Sequence, residues 1–185
     1  MQAASAIRSE AVSIRRPRVG DGKAIWKLVH DTGVLDLNSP YCYLLLCLHN
    51  RDTCALAEYQ GRIVAFVSGY LLPDRSDTLF IWQIGVDSAW RGKGLGTRLL
   101  LELLERESCN EIAYLEATVE PANQASRALF NLLAKRLKTK ISERALFDPA
   151  NFPDQHGAEN LLRIGPFSPS QLLSSLTQGI DHAHI

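Results

Sequence analysis

The chain has 185 residues, 46% hydrophobic and 22% charged, and this balance fits one globular domain with a sizeable core. Twenty Lys and Arg residues balance twenty Asp and Glu residues, so the chain lacks the net charge typical of proteins that bind nucleic acid or membrane surfaces. The longest apolar run, YLLLCL, is far shorter than the roughly 20 residues of a spanning helix. We expect a cytoplasmic protein with no nucleic-acid or membrane partner.

The chain divides into one domain and two short ends. Residues 1–11 are expected to form a flexible N-terminus, residues 12–166 the domain, and residues 167–185 a C-terminal appendage with a weak helical pattern. The four cysteines lie in apolar surroundings, and no pair of them has metal-ligand spacing: Cys42, Cys47, Cys54 and Cys109. We expect buried thiols and no metal site.

The N-terminal third predicts one strand and two helices. Residues 12–17 have the composition of a strand. Residues 20–33 place apolar side chains at helical spacing and end at Gly33, which suits a helix C-terminus. The second helix is predicted over residues 39–50, where Ser39 is the expected N-cap and a proline follows it.

Three strands are predicted in the middle of the chain. Residues 53–59 and 62–72 are rich in β-formers and flank Gln60-Gly61, which predicts an antiparallel hairpin. Residues 78–86 are nearly all apolar, as expected of a strand covered on both faces.

The remaining elements complete an α/β domain. A helix carries the apolar stripe Leu95, Leu99, Leu103 and Leu104, and a strand follows over residues 112–119. A further helix is predicted over residues 121–137, and strands over residues 141–147 and 160–165 flank a polar loop. The order β-α-α-β-β-β-α-β-α-β-β predicts a mixed sheet with helices on both faces.

The stretch DSAWRGKGLG, residues 87–96, joins a strand to a helix and has the composition of an anion site. Its glycines let backbone approach a ligand, and unpaired N–H groups at a helix start point at an anion. The Rossmann spacing G-x-G-x-x-G and the Walker A ending G-K-[ST] are both absent. A glycine turn that binds nothing is the alternative, but it leaves Arg91 and Lys93 beside the helix start unexplained.

The spacing Arg91-x-x-Gly94-x-Gly96 resembles the R/Q-x-x-G-x-G/A signature of the Gcn5-related N-acetyltransferase (GNAT) superfamily. The helix from Asn123 to Phe130 resembles that superfamily's N-x-x-[AS]-x-x-L-[YF] segment. The resemblance implies an α+β fold with a mixed, mostly antiparallel sheet, and an acetyl-coenzyme A site.

By this resemblance, the glycine loop cradles the pyrophosphate and the preceding strand holds the pantetheine arm. The cofactor residues it implies are Ile84, Val86, Arg91, Gly92, Lys93, Gly94, Leu95, Gly96, Thr97, Asn123 and Ser126. The N–H of Val86 is a candidate oxyanion donor. Many members place a proton-donating tyrosine where this chain has Phe130, so Tyr41, Tyr43 or water are the candidates for that role.

Four stretches closely resemble the L-2,4-diaminobutyrate acetyltransferases of ectoine biosynthesis, a family within GNAT. They are residues 33–47, 68–87, 114–130 and 161–166, and the similarity spans about residues 14–166. The resemblance implies transfer of acetyl to the 4-amino group of L-2,4-diaminobutyrate, without a covalent acyl-enzyme, and a homodimer.

A diamino acid needs anions for its ammonium groups, a donor for its carboxylate and aromatic walls. The candidates are Asp36, Tyr41, Tyr43, Trp82, Glu116, His156 and Glu159. An alkyl amine with pKa near 10 is almost wholly protonated at pH 7, so a base or water relay must take its proton. Asp36 is the first candidate to anchor or deprotonate the amine.

Structural roles compete with these assignments. Asp36 suits a turn before the second helix, and Trp82 suits a core aromatic. Glu116 suits a solvated groove, and His156 suits a surface loop. The residue after that histidine is usually acidic in the family but is Gly157 here. At the level of function, the alternatives are a GNAT that acts on another small amine, a GNAT that acetylates protein N-termini or lysines, and a non-catalytic acetyl-CoA-binding module.

Overall fold

A computed structural model describes residues 12–153 and 156–168. The strands are β1 Ser13–Arg15, β2 Ala55–Tyr59, β3 Arg62–Leu72, β4 Arg75–Val86, β5 Tyr114–Val119, β6 Ile141–Phe147 and β7 Glu159–Ile164. The helices are α1 Gly22–Thr32, α2 Pro40–His49, α3 Leu95–Leu104 and α4 Gln124–Arg136. This is the predicted order of elements. The predicted N-terminus 1–11 and positions 169–185 of the appendage lie outside the described residues.

The seven strands form one sheet in the order β1-β2-β3-β4-β5-β7-β6. Only β4 and β5 pair in parallel, and the other neighbours are antiparallel. The mixed, mostly antiparallel sheet is therefore confirmed. Both of the parallel strands lie at the centre, where helices cover the sheet.

Helices pack on both faces because the strands alternate apolar side chains between the two sides. On β2, Leu56 belongs to the cluster formed with α1 and α2, whereas Ala55 and Ala57 belong to the larger cluster formed with α3 and α4. Phe167, the first residue of the predicted appendage, is 5% exposed and joins the larger cluster. Packing of the domain thus extends to this residue.

Helix ends follow the predicted signals. Gly33 closes α1 with φ 64°, a left-handed conformation that suits glycine. The hydroxyl of Ser39 accepts a hydrogen bond from the N–H of Cys42 at the start of α2.

Strand β4 is longer than predicted. The sequence indicates a strand over residues 78–86, but β4 begins at Arg75, which pairs with Leu72 across the two-residue turn Pro73-Asp74. The added residues Arg75, Ser76 and Asp77 are polar, so apolar periodicity does not include them. The first strand is shorter than the predicted 12–17, since β1 covers Ser13–Arg15.

The sheet opens between β4 and β5. Their pairing runs from Thr78 with Tyr114 to Ile81 with Ala117, whereas β4 continues to Val86. One edge of the last five residues of β4 therefore has no strand partner among the described residues. Among the described helices, none combines the length and apolar character that membrane crossing requires.

Candidate active site

The glycine loop turns the chain from β4 into α3. Gly92 and Gly94 have φ values of 74° and 73°, which residues with a Cβ rarely adopt. Helix α3 starts directly after Gly94, so the N–H groups of its first turn have no acceptor within the helix. A Cβ on Gly96 would lie 3.2 Å from Leu129, so this glycine allows α3 and α4 to approach closely. The loop has the geometry of an anion cradle.

Cationic side chains flank the cradle. Arg91 donates from Nε to the carbonyl oxygen of Val86 at 3.2 Å. Lys93 Nζ lies 4.6 Å from the centroid of Trp90, and Trp90 packs on Tyr59 with ring centroids 4.8 Å apart. These contacts hold both cations beside the start of α3, where a phosphate would bind.

The open edge of β4 presents backbone groups that pair with no described strand, and among them the Val86 carbonyl oxygen accepts from Arg91. The N–H of Asp87 donates to Val64 of β3 at 2.9 Å. Because backbone groups alternate along a strand, the N–H and C=O groups of Ile84 and Val86 face the opposite edge. That edge is where pairing with β5 has ended, so an extended ligand such as a pantetheine arm fits there.

The cofactor candidates on α3 and α4, and Phe130 beside them, have structural roles. Asn123 is the N-cap of α4, and its side-chain oxygen accepts from the N–H of Ser126 at 3.0 Å. Thr97 is 3% exposed, so its side chain lies inside the domain. Phe130 is 2% exposed and packs in the larger core cluster. A phenylalanine there contributes packing and has no proton to give.

Three carboxylates converge on His156 at the open end of the sheet. His156 Nε2 lies 3.5 Å from Asp36 Oδ2, 3.9 Å from Glu159 Oε1 and 4.0 Å from Glu120 Oε1. These four residues, here called the carboxylate cluster, come from the α1–α2 loop, the position directly after β5, the loop before β7 and β7 itself. Asp36, His156 and Glu159 were predicted from the sequence, whereas Glu120 was missed.

The environment of His156 favours its protonated form. Its ring packs on Phe152 with centroids 3.9 Å apart, and Nδ1 lies 2.8 Å from the carbonyl oxygen of Gly157. The backbone hydrogen bond to Gly157, followed by the charges of Asp36 and Glu159, raises the pKa of His156 above its ordinary value. A Cβ at position 157 would lie 3.3 Å from Glu120 Cδ, so glycine allows that carboxylate to approach.

One oxygen of the cluster is buried without a partner. Glu159 Oε2 makes no hydrogen bond to any described residue, although it is shielded from solvent. A buried carboxylate oxygen without a donor is costly, and a bound cationic group relieves that cost. The cluster therefore has the charge and the free acceptor that an ammonium ligand requires.

The loop that carries Asp36 lies against β4. Gln83 Nε2 donates to the carbonyl oxygen of Asp36 at 2.6 Å, and Tyr43 Oη donates to Gln83 Oε1 at 3.2 Å. The Asp36 side chain itself is 84% exposed, so it is free to meet a ligand. Tyr43 is fully buried beneath this loop and supports it through the hydrogen bond to Gln83.

The two exposed aromatic candidates lie on different elements. Trp82 on β4 is 43% exposed and sits at a β-bulge, because Ile81 pairs with Gly69 and Gln83 pairs with Ser68. Tyr41 is 66% exposed in the first turn of α2. Neither is a core aromatic, so both are available to a ligand or partner.

Glu116 is held by two arginines. Its carboxylate accepts two hydrogen bonds from Arg75, at 2.8 and 2.9 Å, and one from Arg163, while the side chain is 2% exposed. Burial raises the pKa of Glu116, but the hydrogen bonds from both arginines outweigh it and leave the pKa below its ordinary value. Both oxygens are thus engaged within the protein, and the structure does not bring Glu116 into the carboxylate cluster.

All four cysteines are free thiols; Cys47, Cys54 and Cys109 are buried as predicted, whereas Cys42 is half-buried. Burial raises the pKa of Cys47 to about 11 and that of Cys54 to about 12. Burial also raises the pKa of Cys109. A thiol that stays protonated at neutral pH is a poor nucleophile, which disfavours an acyl-cysteine intermediate.

The fold, the open strand edge and the glycine loop together define an acetyl-CoA-dependent N-acetyltransferase. Residues 24–133 match the acetyltransferase (GNAT) family, and the chain belongs to that family. The GNAT resemblance and the fold class predicted from the sequence are confirmed.

Relatives with high sequence identity place the chain in one group within the GNAT family. The chain is 50% identical over 169 residues to an L-2,4-diaminobutyric acid acetyltransferase of Bordetella parapertussis, covering 90% of this chain and 89% of that protein. It is 45% identical over 159 residues to the protein of that name from Halalkalibacterium halodurans, covering 85% and 84%. Within GNAT, this chain therefore groups with the L-2,4-diaminobutyric acid acetyltransferases.

A solved structure agrees with this grouping. Diaminobutyrate acetyltransferase EctA from Paenibacillus lautus, in complex with its substrate L-2,4-diaminobutyric acid and coenzyme A, matches with a TM-score of 0.84 and 41% identity. The match covers 86% of this chain and 97% of that one. The similarity therefore extends over most of the chain and almost all of the solved structure.

Proposed function

We propose that this protein transfers the acetyl group of acetyl-CoA to the 4-amino group of L-2,4-diaminobutyrate, as a step of ectoine biosynthesis. The observation that carries the proposal is the carboxylate cluster, where the buried Glu159 Oε2 lacks a donor among the described residues. A substrate with two ammonium groups complements three carboxylates around one imidazole. The names of the relatives, and the ligands of the Paenibacillus lautus enzyme, support the same substrate and acetyl donor.

The charges of the cluster suit each part of the substrate. Asp36 and Glu159 are proposed to hold the ammonium groups, with Glu120 adding negative charge behind His156. The pKa of His156 is raised, which favours the positively charged ring, and this ring is proposed to meet the substrate carboxylate. Trp82 and Tyr41 are proposed as walls of the pocket, and Tyr43 as its support.

Acetyl-CoA is a substrate of this reaction and supplies the thioester carbonyl. Arg91, Lys93 and the N–H groups of Gly92 to Thr97 are proposed to bind its pyrophosphate, with Asn123 and Ser126 on the far side of the cofactor. The backbone of Ile84 and Val86, on the open edge of β4, is proposed to bind its pantetheine arm. The Val86 N–H is proposed to stabilise the oxyanion.

Acetyl transfer requires a neutral amine. Asp36 is proposed to accept the ammonium proton, directly or through water, since its side chain is exposed at the cluster. The amine nitrogen then forms a bond to the carbonyl carbon as the carbon–sulfur bond breaks, without an acyl-enzyme. Tyr41 or water is proposed to protonate the leaving thiolate, because Phe130 has no proton to donate.

A thiol-release assay tests this function. L-2,4-Diaminobutyrate, ornithine, lysine and a basic peptide are compared with acetyl-CoA as donor, and NMR locates the acetylated nitrogen. We expect strong preference for diaminobutyrate at its 4-amino group. Turnover of the peptide alone would overturn the substrate, and CoA binding without turnover would indicate a non-catalytic module.

We also propose that the protein acts as a homodimer in the cytoplasm. The outward face of α2 carries three exposed apolar side chains at helical spacing: Leu44, Leu45 and Leu48. The opposite face of α2 is already buried in the core. An apolar stripe on both faces of a surface helix is typical of a protein interface. The use of acetyl-CoA and the free thiols support the proposed cytoplasmic location.

A further inference from the structure

The segment of β4 next to the open edge also contacts the amine side of the site. Gln83 is 7% exposed, and its side chain spans two elements. Its Nε2 donates to the Asp36 carbonyl oxygen at 2.6 Å, and its Oε1 accepts from Tyr43 Oη at 3.2 Å. A carbonyl oxygen only accepts and Oε1 has no proton, so these partners fix the orientation of the amide.

Tyr43, the second partner of Gln83, also binds the loop that carries Asp36. The backbone N–H of Asn38 donates to Tyr43 Oη at 3.4 Å, so Tyr43 links Gln83 to a second residue of the loop over residues 33–39. Tyr43 is fully buried, and its ring packs against Phe66 with centroids 6.5 Å apart. The loop is thus tied to β4 at Asp36 and, through Tyr43, at Asn38.

A close apolar contact lies beside these hydrogen bonds. Gly85 is two residues after Gln83 and therefore faces the same side of the sheet. A Cβ at Gly85 would lie 2.7 Å from the ring of Phe66 and 3.3 Å from Leu35 Cδ1. The missing side chain lets Leu35, the neighbour of Asp36, pack close to the strand.

We infer that Gln83 is a positioning residue, which sets the distance between the Asp36 loop and the thioester site on β4. Its side chain seats the loop, while the backbone of its neighbours Ile84 and Val86 borders the open edge. One segment of β4 thereby fixes the position of the amine relative to the carbonyl carbon that it attacks. Misplacement of reacting groups by about 1 Å costs as much as 100-fold in rate. A side chain that fixes the position of the Asp36 loop therefore affects turnover strongly.

Because this role presupposes the proposed acetylation of diaminobutyrate, the wild-type protein is assayed first. Gln83→Glu is nearly isosteric and keeps the acceptor for Tyr43, but it replaces the donor to Asp36 with an oxygen. We expect kcat/KM for diaminobutyrate to fall about 10-fold to 100-fold. The KM for acetyl-CoA should stay within about twofold, since the glycine loop is untouched.

Two further variants separate positioning from general destabilisation. Tyr43→Phe removes the link to Asn38 but leaves the bond from Gln83 to Asp36, so we expect a smaller loss. The double variant should lose less than the product of the two single effects, because both residues hold one loop. Thr53→Val is the matched control: it removes a buried hydrogen bond to Gly69 that does not touch this loop, and the diaminobutyrate kinetics should not change.

The outcomes are distinct. If Gln83→Glu raises both KM values equally, or if Thr53→Val reproduces its kinetics, the positioning role is wrong. A folded Gln83→Glu protein with wild-type kinetics would also overturn it. If the wild-type protein does not acetylate diaminobutyrate at all, the proposed function fails before the role of Gln83 is addressed.

Discussion

His156 Nε2 lies 3.5 Å from Asp36 Oδ2, although the two residues belong to loops that are far apart in the sequence. The contact forms where β4 and β5 separate, beside the strand edge that suits the acetyl donor. The proposed amine and thioester sites thus meet at the carboxyl ends of two parallel strands, where ligands of mixed sheets commonly bind.

Asp36→Asn tests the amine site. The change keeps the backbone carbonyl that binds Gln83 but removes the negative charge proposed to face the amine. We expect kcat/KM for diaminobutyrate to fall about tenfold or more, equivalent to at least ~1.4 kcal/mol. Steady-state kinetics check the loss, and calorimetric titration with CoA should give wild-type affinity. Loss of CoA binding would mean that Asp36 is structural.

Glu159→Gln is expected to separate activity from stability. Its Oε2 is buried without a donor among the described residues, and neutralisation also relieves repulsion from Glu120 and Asp36. We expect turnover to fall about 100-fold, whereas the free energy of unfolding should stay equal or rise by ~1 kcal/mol. Thermal denaturation without substrate measures the latter. A large drop in melting temperature would show that Glu159 holds the fold.

The pKa of His156 predicts how stability depends on pH. A folded-state pKa raised above the unfolded value near 6.5 stabilises the protein below pH 6.5, and this contribution disappears as pH rises through the folded pKa. His156→Gln should therefore be less stable than wild type at pH 5.5, with a difference that shrinks by pH 8.5. Chemical denaturation at both pH values measures this difference. A difference that grows with pH would contradict the assignment.

Gly94→Ala tests the phosphate cradle. Gly94 has φ 73° in the loop, so a Cβ there strains the backbone by about 1–2 kcal/mol and displaces the N–H groups of α3. We expect the KM for acetyl-CoA to rise about tenfold. Gly61→Ala is the matched control, because its φ is 74° in the β2–β3 turn. It should lose similar stability with an unchanged KM, and equal KM values for both variants would remove the cofactor assignment.

Leu48→Glu tests the proposed dimer. Leu48 is 52% exposed within the apolar stripe of α2, so a carboxylate there opposes burial against a partner. Light scattering after size exclusion should show a dimer for the wild type and a monomer for this variant. Leu132→Glu is the control, because Leu132 is similarly exposed on α4 but lies outside the stripe. A monomeric wild-type protein would overturn the dimer.

Of the two residues that sequence reasoning missed, Gln83 lacks a local signal for its partners and Glu120 does not. Gln83 lies inside an apolar strand, and only the folded chain shows that its amide contacts Asp36. Glu120 had a usable signal, since it directly follows a strand, and ligands commonly bind beyond the carboxyl ends of parallel strands. Glu116 was placed with the substrate because it is acidic, but its partners Arg75 and Arg163 come from a hairpin and a distant strand.

Features set by neighbouring residues were determined by the sequence alone. The glycine spacing before α3, the cap at Ser39, the end of α1 at Gly33 and the order of strands and helices all depend on local backbone chemistry. Only the tertiary structure decided where β4 and β5 part, which carboxylates meet at His156 and which are paired with arginine. Those outcomes depend on strand register and on contacts between distant segments, which fixed spacing in a sequence does not encode.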